Sequence, residues 1–162
     1  MAVKIVTDSA SDIPVEIASE LGITIVPCNV HFGTETYRDG VDLMVDEFYE
    51  KLVESPVHPT TSQPSPGAFV DVFDSLADDA DGIVAIHLSS KVSGTYNSAV
   101  QASGLSSAKC PIEVVDSYQV SMGMGLVVMA AAEAAQQGAT MDEILTTVKS
   151  LLPNAARDLT VL

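Results

Sequence analysis

Apolar, β-branched runs alternate with helically spaced stretches along almost the whole chain, and this constrains its fold more than any other feature. Val3-Lys-Ile-Val-Thr7, Ile23-Thr-Ile-Val-Pro27, Ile83 to Leu88, Pro111-Ile-Glu-Val-Val-Asp116 and Arg157 to Leu162 read as strands. Between them, Ile13, Ile17 and Leu21, then Val45, Phe48, Tyr49 and Leu52, then Phe69, Val72, Phe73 and Leu76 recur at helical spacing. Further helices are read from about Thr95 to Leu105, over the Ala-rich stretch to Gln137, and through Met141, Ile144, Leu145, Val148 and Leu152. Strand–helix alternation of this kind gives a parallel sheet covered by helices on both faces. The sequence therefore predicts a three-layer α/β/α fold with a mostly parallel five-stranded sheet, organised as one domain over 1–162. One antiparallel excursion interrupts it: Asn29-Val-His-Phe-Gly33 and Glu35-Thr-Tyr-Arg38, with turn residues at Gly33 and Asp39-Gly40.

The punctuation agrees with this reading. Asp12 is expected to cap the first helix with Pro14 in its first turn, and Gly22 to end it. Pro56, Pro59, Pro64 and Pro66 keep the segment from 55 to 65 out of a helix or a central strand, so Thr60 to Gln63 runs extended. Ser65 and Pro66 then start a helix, and Thr140 with Glu143 forms a capping box for the last one.

Composition removes whole classes of function. The formal net charge is −15, which opposes nucleic acid and anionic membrane surfaces, since both need Lys and Arg. From Gln119 to Ala132 there is no charged residue, but this is shorter than the roughly 20 residues a membrane span needs, and a buried helix is expected instead. Cys28 and Cys110 are in no metal-ligand spacing and read as reduced core thiols, so no metal is expected and the expected compartment is the cytoplasm. Met1-Ala-Val-Lys-Ile-Val6 reads as entering a strand directly, so no signal peptide is expected.

The chemistry-bearing residues gather where strands hand over to helices. Ser89, Ser90, Ser93 and Thr95 follow the strand ending at Leu88; Asp8-Ser9 and Asp116 to Ser121 occupy the same kind of position. In an open parallel sheet such loops converge at the carboxyl edge, where ligands bind. Thr60-Thr61-Ser62 precedes a helix and joins them. Ser93 to Thr95 reads either as an anion seat at a helix N-terminus or as a plain helix cap, and spacing alone does not separate the two. Asp8 reads as an Asx cap, or alternatively as a metal ligand or, with Ser93, as the nucleophile of a phosphoryl-transfer or hydrolytic enzyme. A serine triad is disfavoured, because His31, His58 and His87 show no acidic partner in sequence and Gly-x-Ser-x-Gly is absent. His87 is expected to be a core histidine and His58 to be exposed. The loop around Lys91 lacks the glycines of a phosphate loop, and Met122-Gly-Met-Gly125 lacks the third glycine of the dinucleotide fingerprint.

Four ordered motifs carry a family resemblance: Val6-Thr-Asp-Ser-Ala-Ser-Asp12, Thr60-Thr-Ser-Gln-Pro64, Leu88-Ser-Ser-Lys-Val-Ser-Gly-Thr-Tyr-Asn-Ser-Ala99 and Val115-Asp-Ser-Tyr-Gln-Val-Ser-Met-Gly-Met-Gly125. Together they resemble the DegV family, the fatty-acid-binding carrier subunits of bacterial fatty acid kinase. The resemblance implies a long-chain fatty acid whose carboxylate is held by Thr61 and Ser93, with Ser62, Gly94, Thr95 and Asn97 in the matching loops. It also implies an apolar tunnel, to which Leu126, Val127 and Met129 are expected to contribute, and an ATP-dependent kinase partner. It implies no cofactor and no catalytic residue. Members of the family resemble two-domain proteins with the ligand between the domains. By that resemblance this chain corresponds to the N-terminal domain, and the second domain, with the Arg and His that complete the carboxylate network, is expected to be absent.

Overall fold

A computed structural model describes the backbone of residues 2–158 and the side chains of residues 2–152. The principal sheet contains β1 (Ala2–Asp8), β2 (Ile23–Val26), β6 (Ala80–His87) and β7 (Ile112–Asp116) in the order β2-β1-β6-β7, all parallel. Among the described residues the sheet thus has four strands rather than five. The fifth was expected over 157–162. Arg157 and Asp158 instead close the last helix, and 159–162 lie outside the described residues.

Helices cover both faces, as the alternation requires. Helices α1 (Val15–Leu21), α5 (Ser121–Gln136) and α6 (Met141–Asp158) pack against Ile5, Val84 and Ile86 on one side. Helices α3 (Pro66–Ala77) and α4 (Thr95–Leu105) pack against Val6, Ile83 and Ala85 on the other. Successive strand residues point to opposite faces, so the continuous run Ile83-Val-Ala-Ile86 serves both cores and is fully buried. Small side chains bring the helices close to the sheet: Ala131 and Ala132 on one face, Ala99 and Ala102 on the other, all 0% exposed.

The antiparallel excursion is larger than β-hairpin reasoning alone provides. β3 (Asn29–Phe32) pairs with β4 (Glu35–Arg38) on one side and with β5 (Thr60–Ser62) on the other, giving a second sheet in the order β4-β3-β5. The Pro-rich segment is therefore an edge strand, the position in which prolines are tolerated. Helix α2 (Val45–Glu54) covers this sheet through Phe48 on Phe32, ring centroids 6.1 Å apart. His31 staples the sheet: its Nδ1 lies 2.9 Å from Thr36 Oγ1 and its Nε2 2.9 Å from Ser62 Oγ.

The caps follow the sequence with one exception. Gly22 ends α1 at φ 66°, Ser65 Oγ accepts the Ala68 N–H at 3.2 Å, and Thr140 and Glu143 bond reciprocally. Asp12 does not cap α1, whose N-cap is Pro14. Residues Ser9–Ser11 form a single 3-10 turn after β1, and Asp12 ends that turn in the left-handed region at φ 53°. Its carboxylate instead accepts a hydrogen bond from the Ser121 hydroxyl at the start of α5.

Candidate functional site

β1 is followed by β2 on one side, and the chain then returns to lay β6 on the other side of β1. The direction of winding reverses between β1 and β6, and a crevice opens above the carboxyl ends of two such strands. Here the crevice is a cleft of about 370 Å³. Ser9 and Ala10 follow β1, Leu88 and Val92 to Gly94 follow β6, and Thr61 and Ser62 of the second sheet, with Gln63 just after them, complete the facing side. Cys28, Val30 and Asp39 complete the wall.

Thr61, Ser62, Ser93 and Gly94 therefore line one cleft. The Thr61 hydroxyl is exposed and has no partner among the described residues, whereas the Ser62 hydroxyl is engaged by His31. Ser93 Oγ lies 3.0 Å from Thr95 Oγ1 and accepts the Thr95 N–H at 3.3 Å. Thr95 is fully buried at the first position of α4 and supports Ser93 from behind rather than lining the cleft. Asn97 is exposed and is also not among the lining residues. Gly94 is the N-cap of α4, and a Cβ there would sit 2.5 Å from the Gln63 side-chain nitrogen. The glycine lets the two lips of the cleft approach.

The first turn of α4 carries no acidic residue, so its free N–H groups and partial positive charge are unneutralised by the helix itself. No Lys, Arg or His lines the cleft, and Asp39 does. The Cys28 thiol is pushed up to about 11, by burial first and by the Asp8 charge second. At neutral pH it is a thiol, not a nucleophile.

Below the cleft lies a pair that sequence reasoning missed. Asp8 and His87 are both 0% exposed, and His87 Nδ1 stands 2.9 Å from Asp8 Oδ2. The same oxygen accepts the Leu88 N–H at 3.1 Å, and Asp8 Oδ1 accepts the Ala10 N–H at 3.1 Å. His87 is a core histidine, as expected, but it does have an acidic partner. The signal lay in register: Val6 stands beside Ala85, and two residues further along both strands bring Asp8 beside His87. Only the neighbour relation of β1 and β6 reveals it. The arrangement is no triad, because His87 Nε2 has no hydrogen-bond partner and Ser93 is bonded to Thr95. Asp8 caps the 3-10 turn, and its oxygens are committed to three donors.

The third loop is tied to the same edge. Asp116 Oδ1 accepts the N–H groups of Ser90 at 3.2 Å and Tyr118 at 3.0 Å, and Ser89 N–H donates to the Gln119 carbonyl at 2.9 Å. Tyr118 and Ser121 both lie in the left-handed region, at φ 53° and 52°. Gly125 is needed for contact rather than for a cofactor: a Cβ there would be 2.6 Å from the Ser11 carbonyl oxygen. Of the residues expected along a tunnel, Leu126 is 61% exposed, Val127 is packed in the core and Met129 is partly buried against it.

An open parallel α/β sheet with a hydroxyl-lined cleft at its winding reversal is the arrangement in which folds of this class hold ligands. The profile described as "uncharacterised protein, DegV family" matches residues 2–161, and the chain belongs to the DegV family. A DegV domain-containing protein of Caldanaerobacter subterraneus subsp. tengcongensis is 44% identical over 151 residues, covering 93% of this chain and 53% of that protein. The solved structure of DegV from Bacillus subtilis, described as a fatty acid binding protein, superposes with a TM-score of 0.89 at 32% identity, over 94% of this chain and 54% of that one. A DegV family protein from Thermus thermophilus, also described through fatty acid binding, gives 0.85 at 34% identity, over 94% and 54%. The chain thus spans about half the length of the relatives it matches.

Proposed function

We propose that this chain binds a long-chain fatty acid and seats its carboxylate on the hydroxyls of Thr61 and Ser93. The observation that carries the reading is that Thr61 and Ser93 line one cleft at the winding reversal, with no basic residue in the wall. Neutral hydroxyls and the N-terminus of α4 hold a carboxylate without a buried counter-ion, each charge-assisted hydrogen bond contributing about 1.5–3 kcal/mol. Ser62 and Gly94 shape the seat, Thr95 holds the Ser93 hydroxyl in place, and Asn97 lies in the first turn of α4, outside the cleft. Ala10, Val30, Leu88 and Val92 offer the apolar wall along which the acyl chain leaves the seat, at about 0.8 kcal/mol per buried methylene. Fatty acid binding by the Thermus and Bacillus relatives supports the reading.

In this reading the chain is one half of a ligand cavity, an N-terminal domain whose cleft is closed by a second domain. It is a non-catalytic carrier in the cytoplasm that presents the carboxylate to an ATP-dependent kinase subunit for acyl-phosphate formation. The commitment of both Asp8 oxygens to buried donors disfavours the alternative of an enzyme using Asp8 and Ser93. Among the described residues no helix is long and apolar enough to cross a membrane, and Cys28 and Cys110 are unpaired. Native mass spectrometry of the chain purified from cells tests the binding claim. A co-purified long-chain fatty acid, or uptake of added oleate, is expected; absence of both co-purified lipid and uptake from solution would contradict it.

A further inference from the structure

Helix α2 leaves most of its surface uncovered, and that surface is sorted by chemistry. Val45, Tyr49 and Val53 are 67%, 60% and 85% exposed, and their spacing of four residues sets them on one stripe. Met44 and Val41 continue the apolar surface beyond the helix start, at 52% and 48%. Asp46, Glu50 and Glu54, each one residue further on, form a parallel exposed stripe, and none has an ion-pair partner among the described residues. The helix has one basic residue, Lys51, which lies on the side opposite the apolar stripe and is bonded off the helix. Its Nζ bonds Glu35 at 2.9 Å and lies 5.3 and 5.2 Å from the ring centroids of Phe32 and Tyr37. The outer face is therefore an apolar ridge with an uncompensated acidic border.

Charge selects what fits there. A second copy would bring its own acidic stripe against this one, on top of a net charge of −15 per chain. Nucleic acid and anionic lipid carry the same sign. We infer that the outer face of α2 is a docking surface for a basic amphipathic helix of a partner protein, with apolar residues on Val45, Tyr49 and Val53 and Lys or Arg along Asp46, Glu50 and Glu54. Helix-on-helix recognition of this kind uses anchors at the i and i+4 spacing seen here. The stripe lies on the covering helix of the second sheet, and the inference does not rest on the fatty-acid reading.

The test is binding of a fluorescent synthetic helix of Leu and Lys, about 18 residues long, to the chain at about 0.15 M salt. V45S/Y49S/V53S leaves the charge unchanged and is expected to weaken binding about tenfold, the behaviour of anchor residues. D46N/E50Q/E54Q is expected to weaken it similarly. D71N/D78N/D79N removes the same charge from another exposed site and is expected to leave affinity within about twofold. Absence of binding, equal loss in the third variant, equal binding of a Leu/Glu helix, or stripe-dependent self-association in sedimentation velocity would each overturn the inference.

Discussion

At the scale of residues, the buried Asp8–His87 pair is the most consequential feature the chain hides. It joins the ends of two adjacent strands and sets the backbone of Ala10 and Leu88, both of which line the cleft. Removing the imidazole leaves a fully buried carboxylate with one donor fewer. His87→Leu should therefore destabilise the chain by about 3 kcal/mol in urea unfolding. His87→Asn keeps a donor near the Nδ1 position and should recover part of that loss. Cys28 gives a second prediction. Its thiol is pushed from 9.0 to about 11, so the folded chain holds a proton that the unfolded chain releases first. The associated stability is present below pH 9 and is lost as pH rises toward 11. Alkylation of Cys28 should be slow at neutral pH and rise toward pH 11, and a ligand in the cleft should slow it further because Cys28 lines the wall. Asp39, the one carboxylate in that wall, opposes an anionic ligand. Asp39→Asn should tighten oleate binding by about threefold, within the range of a partly exposed charge pair.

At the scale of elements, glycine positions carry the prediction. Gly125 lets α5 approach the 3-10 turn after β1, and there the obstacle is backbone. Gly125→Ala should lower stability by about 2 kcal/mol, read by thermal or urea unfolding. Gly94→Ala meets only the end of the Gln63 side chain, which can swing aside, and should alter ligand retention more than stability. Most elements were legible because their signals are local. Helix α4 begins at Thr95 and ends at Leu105 where spacing placed it, and Ser65-Pro66 starts α3. What escaped depends on partners far along the chain. Asp12 has the chemistry of a helix cap, yet its bond goes to Ser121 across 109 positions. Thr60 to Ser62 is extended by its prolines alone, but only β3 makes it a strand. His87 and Asp8 are 79 positions apart, and no periodicity announces their contact.

At the scale of the whole molecule, topology does what no single motif does. The reversal between β1 and β6 gathers loops at positions 9–10, 61–63 and 88–94 into one cleft, and the second sheet supplies the wall that faces the α4 N-terminus. The seat is hydroxyl-based within a chain of net charge −15, so its affinity for an anion comes from short-range hydrogen bonds rather than from the protein's overall field. Binding should consequently vary little with ionic strength, in contrast to a site built on Lys and Arg. The most direct measurement is isothermal titration of oleate, and of the alcohol with the same acyl chain, into the chain and into Thr61→Val/Ser93→Ala. The expected result is oleate binding weakened by at least about tenfold in the double variant, with the alcohol's affinity nearly unchanged. Equal oleate affinity in the two proteins would contradict the carboxylate seat.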